Sequence, residues 1–168
     1  MGKILPQGTQ LYARAPKEAG GFEVIKIDCA LTVDVGEDER DEHDDTCLEE
    51  MEAHSTFPGL ITPGDATFTV QIDPSNPGHV RLWALFKART NVSWALGWGD
   101  GVDLDPVAPV DPATDWTLSL ERTWNTWLGR VSGMNFTGFE AGGAPVQGSI
   151  KIKRSSASEW LVKGRVAP

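Results

Sequence analysis

Cysteine occurs only twice in the chain, at Cys29 and Cys47. Two cysteines cannot build a disulfide scaffold, and both thiols are expected to be reduced. No apolar run approaches the roughly 18 residues of a membrane-spanning helix. The opening "MGKILPQGTQ" has neither an apolar core region nor a small-residue cleavage site, so no secretory signal is expected and the Met1 start points to a cytosolic product. Positive charge is scarce as well: 15 bases face 24 acids, for a net charge of −9. A surface that grips nucleic acid needs an excess of cations to displace counterions, and this chain has none to offer. What is present is a hydrophobic fraction of 40% over 168 residues, enough for one domain with a real core.

The acidity is local. Between Glu37 and Glu52 stand ten carboxylates and one arginine, leaving 14 acids and 14 bases for the rest of the chain. Adjacent carboxylates lie within a Debye length of roughly 8 Å and repel before salt screens them. Fixing each backbone residue costs about 1–2 kcal/mol, and only Leu48, Met51, Phe57, Leu60 and Ile61 offer apolar surface against that cost. The segment 36–64 therefore reads as a long acidic loop, mobile in an isolated subunit and ordered by a partner. Within it, Thr46 followed three residues later by Glu49 is a capping-box pattern, so a short helix at "TCLEEMEAH" is expected on assembly.

Elsewhere alternation dominates. Strands are expected at Phe22 to Ile27 and Ala30 to Val35, and most clearly in "DATFTVQID", where Phe68, Val70 and Ile72 share a face. "VQGSIKIKR" sets Ile150 and Ile152 opposite Lys151 and Lys153. "TDWTLSLERTW", "WLGRVSGMNFTGF" and "SEWLVKG" read as further strands, with Gly129, Gly133 and Gly138 suited to bulges. One helix breaks the period, from about Asn76 to Ala88: Ser75 or Asn76 can cap it and Pro77 fits its first turn. Val80, Leu82, Trp83, Leu85 and Phe86 give it one wide apolar face, and His79 reads as a surface residue. The Gly-, Asp- and Pro-rich stretch 97–116 reads as a loop. The fold class is mostly β: a two-sheet sandwich or open barrel with one flanking helix and the long acidic loop. The whole of 1–168 is taken as a single domain with an N-terminal arm at 1–8.

Catalytic chemistry is hard to find. His43, Cys47 and His54 match no common zinc spacing, and consecutive acids do not converge as a calcium ladder does. "GWGDG" lacks the Lys and Ser/Thr of a phosphate loop. Asp100, Asp103 and Asp105 sit in a proline-rich loop with no apolar surroundings to raise a pKa, and there is no Gly-x-Ser-x-Gly elbow. No enzyme, cofactor or metal is expected. Seven tryptophans suit either core and subunit contacts or, as the alternative function, a tryptophan-rich β-sandwich module that binds carbohydrate.

In order along the chain come an N-terminal arm, paired strands, the acidic loop running into "PGDATFTVQIDPSNPGHVRLWALF", a glycine turn, and "WLGRVSGMNFTGFEAGGAPVQGSIKIKRS". Over roughly Thr9 to Arg154 this order resembles the major tail tube proteins of long, non-contractile-tailed bacteriophages. The resemblance implies a subunit that self-associates into hexameric rings, stacked into a hollow tube through which DNA passes without specific binding. It also implies a tape-measure protein in the lumen, tail terminator and tail-tip proteins as partners, no membrane, and a place in the virion tail after assembly in the host cytoplasm. The loop carboxylates Glu37, Asp38, Glu39, Asp41, Glu42, Asp44, Asp45, Glu49 and Glu50 are then the expected subunit or ring interface. Lys151, Lys153 and Arg154 in the basic C-terminal region are the candidate complements, since acidic and basic patches on one chain allow heterologous contacts that propagate. The alternative placement lines the lumen with these acids.

Overall fold

A computed structural model describes residues 2–49, 51–108 and 115–165. Ten strands and one helix follow in order: β1 (Gln10–Pro16), β2 (Phe22–Ile27), β3 (Ala30–Asp34), β4 (Asp38–Asp44), β5 (Thr56–Pro63), β6 (Ala66–Gln71), α1 (Pro77–Ala88), β7 (Val92–Gly97), β8 (Trp124–Thr137), β9 (Gln147–Arg154) and β10 (Glu159–Leu161). One antiparallel sheet runs β2-β1-β7-β8-β9-β6-β3, with β10 added to the start of β8; β4 and β5 form a separate pair.

The large sheet curls around its own core. β2 and β3 occupy opposite ends of the strand order, yet only Asp28 and Cys29 separate them in sequence. The two edges must therefore approach one another. Ring packing agrees: Phe68 on β6 and Trp94 on β7 lie three strands apart in the order, about 14 Å in a flat sheet, but their centroids are 5.9 Å apart. β8 bends where its register against β9 shifts between Val131 and Gly133, at one of the glycines expected to allow a bulge. The result is an open barrel whose interior holds Leu11, Phe68, Val70, Trp94, Trp127, Ile150 and Ile152.

Helix α1 starts and stops as its sequence directs. Asn76 caps it by accepting from the Gly78 N–H at 2.8 Å, Pro77 occupies the first turn, and Arg89 closes it in the left-handed region with its N–H on the Leu85 carbonyl. The apolar face is wider than what the sheet covers. Leu82 and Leu85 enter the core, whereas Val80 and Trp83 stay exposed. His79 is not a surface residue: it is buried, receives the Asp73 N–H on Nδ1 at 3.0 Å and sets Nε2 2.9 Å from the Asp28 carbonyl. The imidazole thus ties the start of the helix to the β2–β3 turn.

A second correction concerns "TDWTLSLERTW". Its described residues form no strand before Trp124, only an isolated bridge between Val107 and Thr117. β1 is buried on both faces, and its outer face needs a cover. Trp116 and Leu118 supply one by packing with Tyr12, Ala95 and Trp124.

Candidate functional site

The acidic segment folds as a β-hairpin. β4 pairs with β5 from Asp38↔Pro63 to Asp44↔Thr56, with an irregularity between Arg40 and Glu42. Extended backbone suits an acid run, because neighbouring side chains then point to opposite faces and each residue advances about 3.4 Å. A helix would crowd carboxylates three and four apart. The short helix expected from the capping box on assembly is not formed in the described residues of the single chain. Thr46 closes the hairpin neck instead: its hydroxyl accepts the Ser55 N–H at 3.0 Å and donates to Asp44 Oδ1 at 2.5 Å. The Thr46 backbone N–H also donates to Asp44 Oδ1, at 3.0 Å, and the hydroxyl and amide together hold the exposed Asp44 carboxyl below its ordinary pKa.

Glu39, Asp41, Glu42, Asp44, Asp45 and Glu49 all lie exposed along this hairpin and its tip, and Glu37 lies exposed just before it. Glu50 falls outside the described residues. Phe57, Leu60 and Ile61 on β5 are exposed, and Leu48 and Met51 at the tip are wholly so. A two-stranded ribbon of this kind has no core of its own and is marginal in water.

The root of the hairpin is bolted to β9. The Arg154 side chain is fully buried. It donates to Asp38 Oδ1 at 2.5 Å, to the Gly64 carbonyl at 2.7 Å and to the Glu37 carbonyl at 3.3 Å. Asp38 completes the clasp by accepting both the N–H and the hydroxyl of Ser158, at 2.9 and 2.7 Å. Gly36, at φ +82°, lets the chain turn here where a side chain would strike the Asp65 carbonyl. Within the chain, Arg154 and Asp38 therefore anchor the hairpin at its root. Lys151 and Lys153 hold Asp65 of the same chain at 2.9 and 3.1 Å but remain more than half exposed. Those two lysines keep the Asp65 carboxyl below its ordinary value.

Burial works to raise the Asp38 pKa, and the bonds from Arg154 and Ser158 outweigh it, leaving the carboxyl below its ordinary range. A carboxylate lowered in the folded state stabilises it fully above the unfolded pKa, about 3.9. That stabilisation is lost as pH falls through the lower folded value. Pepsin should accordingly cut the hairpin at Leu48, Phe57 or Leu60 increasingly as pH drops from 4 to 2, and D38N should remove most of that dependence by opening the clasp at every pH.

A residue that sequence reading passes over organises the other end of the barrel. Arg122 is buried and fans its donors to the Trp98 carbonyl at 2.8 Å, Gln10 Oε1 at 2.7 Å, the Gly97 carbonyl at 2.8 Å and the Gly8 carbonyl at 2.9 Å. Its guanidinium lies 5.1 Å from the Trp124 ring centroid. The N-terminal arm is thereby pinned, and Gly99 completes the fit, since a side chain there would strike the Leu5 and Gln7 carbonyls. The three loop aspartates do not form a carboxylate pair. Asp100 caps Thr123, Asp103 receives Gln10, and Asp105 receives the Tyr12 hydroxyl at 2.5 Å. Burial and Asp105 push the Tyr12 hydroxyl well above its ordinary pKa.

Among the described residues no three His, Cys, Asp or Glu side chains gather as a metal site, and no helix is long and apolar enough to cross a membrane. Trp94, Trp116, Trp124 and Trp127 are buried, and Trp98 and Trp160 stack on each other at 6.0 Å. Core packing accounts for four of the seven tryptophans.

Comparison with known proteins agrees with this architecture. A family model described as phage tail tube, lambda-like, matches residues 2–164. Structural protein 3 of Pseudomonas phage PAJU2 is 34% identical over 162 residues, covering 95% of this chain and 94% of its own. Among solved structures, the SPP1 tail tube superposes with a TM-score of 0.60 at 11% identity, over 98% of this chain and 81% of that one. The sheath/tube terminator of an extracellular contractile injection system gives 0.59 at 10% identity, over 95% and 97%. At such identities the structural likeness speaks for the fold alone.

Proposed function

Because the chain belongs to the lambda-like phage tail tube family, and so is a structural subunit of the tail, we propose that it works by self-association into hexameric rings that stack into a hollow tube. DNA passes through that tube without specific binding, a tape-measure protein occupies the lumen before it, and tail terminator and tail-tip proteins close its ends. Assembly takes place in the host cytoplasm, and the chain carries no catalytic activity. The observation that carries this reading is the β4–β5 hairpin. It is fixed at its root by a buried arginine and exposes Phe57, Leu60, Leu48 and Met51 among carboxylates. Such a ribbon gains its settled shape against another molecule, and a second copy is the partner this family supplies. Glu37, Glu39, Asp41, Glu42, Asp44, Asp45, Glu49 and Glu50 approach cations of an adjacent subunit or ring, and the exposed Lys151 and Lys153 remain available for part of that role. Each rim pair contributes only about 0–1 kcal/mol, so the contacts act in number.

Negative-stain microscopy of concentrated protein should show rings or hollow filaments, and amides of 39–57 should exchange rapidly in the free chain and slowly in the assembled one. A strictly monomeric protein at every concentration, with the hairpin protected throughout, would refute the reading.

A further inference from the structure

Resting on that self-association, we infer that a groove between α1 and the far end of β8 seats the hairpin tip of a second copy. The groove encloses about 500 Å³. It is walled by Ile72, Val80, Trp83, Met134, Phe136 and Phe139. Trp83 packs 6.0 Å from Phe136, yet Trp83, Phe136 and Phe139 remain 42%, 38% and 75% exposed. This is the part of the helix face that the barrel leaves uncovered.

Cations continue from the groove along the helix. Lys87 sets Nζ 4.9 Å over the Trp83 ring, and exposed Arg89 and Arg130 line the adjoining hollow with Phe86. Among the described residues none of the three carries a carboxylate partner, whereas Lys151, Lys153 and Arg154 at the hairpin root each do.

The hairpin tip is the complement. Leu48 and Met51 protrude from it, and Asp44, Asp45, Glu49 and Glu52 surround them in sequence. Their full exposure means the tip does not occupy the groove of its own chain. The root at Arg154 also stands seven residues along β9 from Gln147, next to the groove residue Val146, or about 23 Å at strand rise. Apolar side chains entering an apolar groove, with carboxylates meeting free cations beside it, give a contact between unlike surfaces. Such a contact repeats without closing on itself between two molecules.

Co-assembly of two variants tests this, both in a C29S/C47S background: one carrying L48C, the other F139C. Oxidation of the tubes should yield the disulfide-linked heterodimer as the main product, because the bond forms only where the Cα atoms come within about 7 Å. L48C paired with W160C should give little. Separately, F139D should raise the protein concentration needed for tubes at least tenfold while leaving the melting temperature of the monomer nearly unchanged. Tubes that form without the L48C–F139C link overturn the groove and leave self-association standing, as does an unchanged threshold for F139D. In a single L48C/F139C variant, a disulfide that forms only within the chain and never between chains overturns it too. Absence of tubes from the unmodified chain at any concentration removes both readings together.

Discussion

Replacing Arg122 with methionine should destabilise the chain by about 3–5 kcal/mol, because four neutral acceptors lose their shared charged donor at once. For a chain of this size that corresponds to a fall in Tm of roughly 10 °C. The side chain is 1% exposed and holds three carbonyls and the Gln10 amide oxygen. Methionine fills part of the volume and leaves those acceptors dry, each at about 1–3 kcal/mol before relaxation. The Gly8 carbonyl among them belongs to the N-terminal arm, so amides near Thr9 should also lose protection. R122K should fall between the two proteins. An ammonium is compact and cannot span the fan that a planar guanidinium covers. A Tm for R122M within two degrees of the parent would contradict this account.

Arg154→Met should produce the second large effect, about 2–4 kcal/mol, with a distribution that separates anchoring from general stability. Its loss strands the Asp38 carboxylate in a half-buried setting and frees the Glu37 and Gly64 carbonyls. The hairpin then hinges at its root, so proteolysis between Asp41 and Leu60 should rise at least tenfold in the free chain, and tube formation should fail. K151M/K153M is the informative contrast. Those lysines hold Asp65 from more than half-exposed positions, where solvent screening limits an ion pair to about 0–1 kcal/mol. Equal damage from both variants would show that charge alone, and not the buried clasp, fixes the hairpin.

The periodic parts of the fold are legible in sequence. Alternation in "ATFTVQ" and "GSIKIK" places Phe68, Val70, Ile150 and Ile152 inside, and the pattern Asn76-Pro77 marks the helix start at the residue where it occurs. Family membership is legible as well, through the order of these segments. That the acidic run extends as a hairpin is not legible locally, because repulsion between its side chains marks only a loop and the partner strand β5, with its Thr and Ile residues, lies beyond the tip. Nothing local marks the connector before Trp124 as a cover for the outer sheet face. The tying roles of His79, Arg122 and Arg154 escape sequence reading for a shared reason: each takes partners from segments distant in sequence, and no spacing rule reports such contacts.

What the sequence alone determined, then, is that the alternating segments of β2, β3, β6 and β9 extend, where the one helix begins, and that the charge is concentrated in a single stretch. Those properties follow from side-chain period, capping and composition, which act over a few residues. Tertiary structure alone decided that the sheet curls until β2 and β3 meet, that Arg154 clasps the acidic hairpin at its root, and that Val80 and Trp83 are left open on the helix. Each of those outcomes depends on which distant surfaces come together and exclude water, a property of the folded chain as a whole.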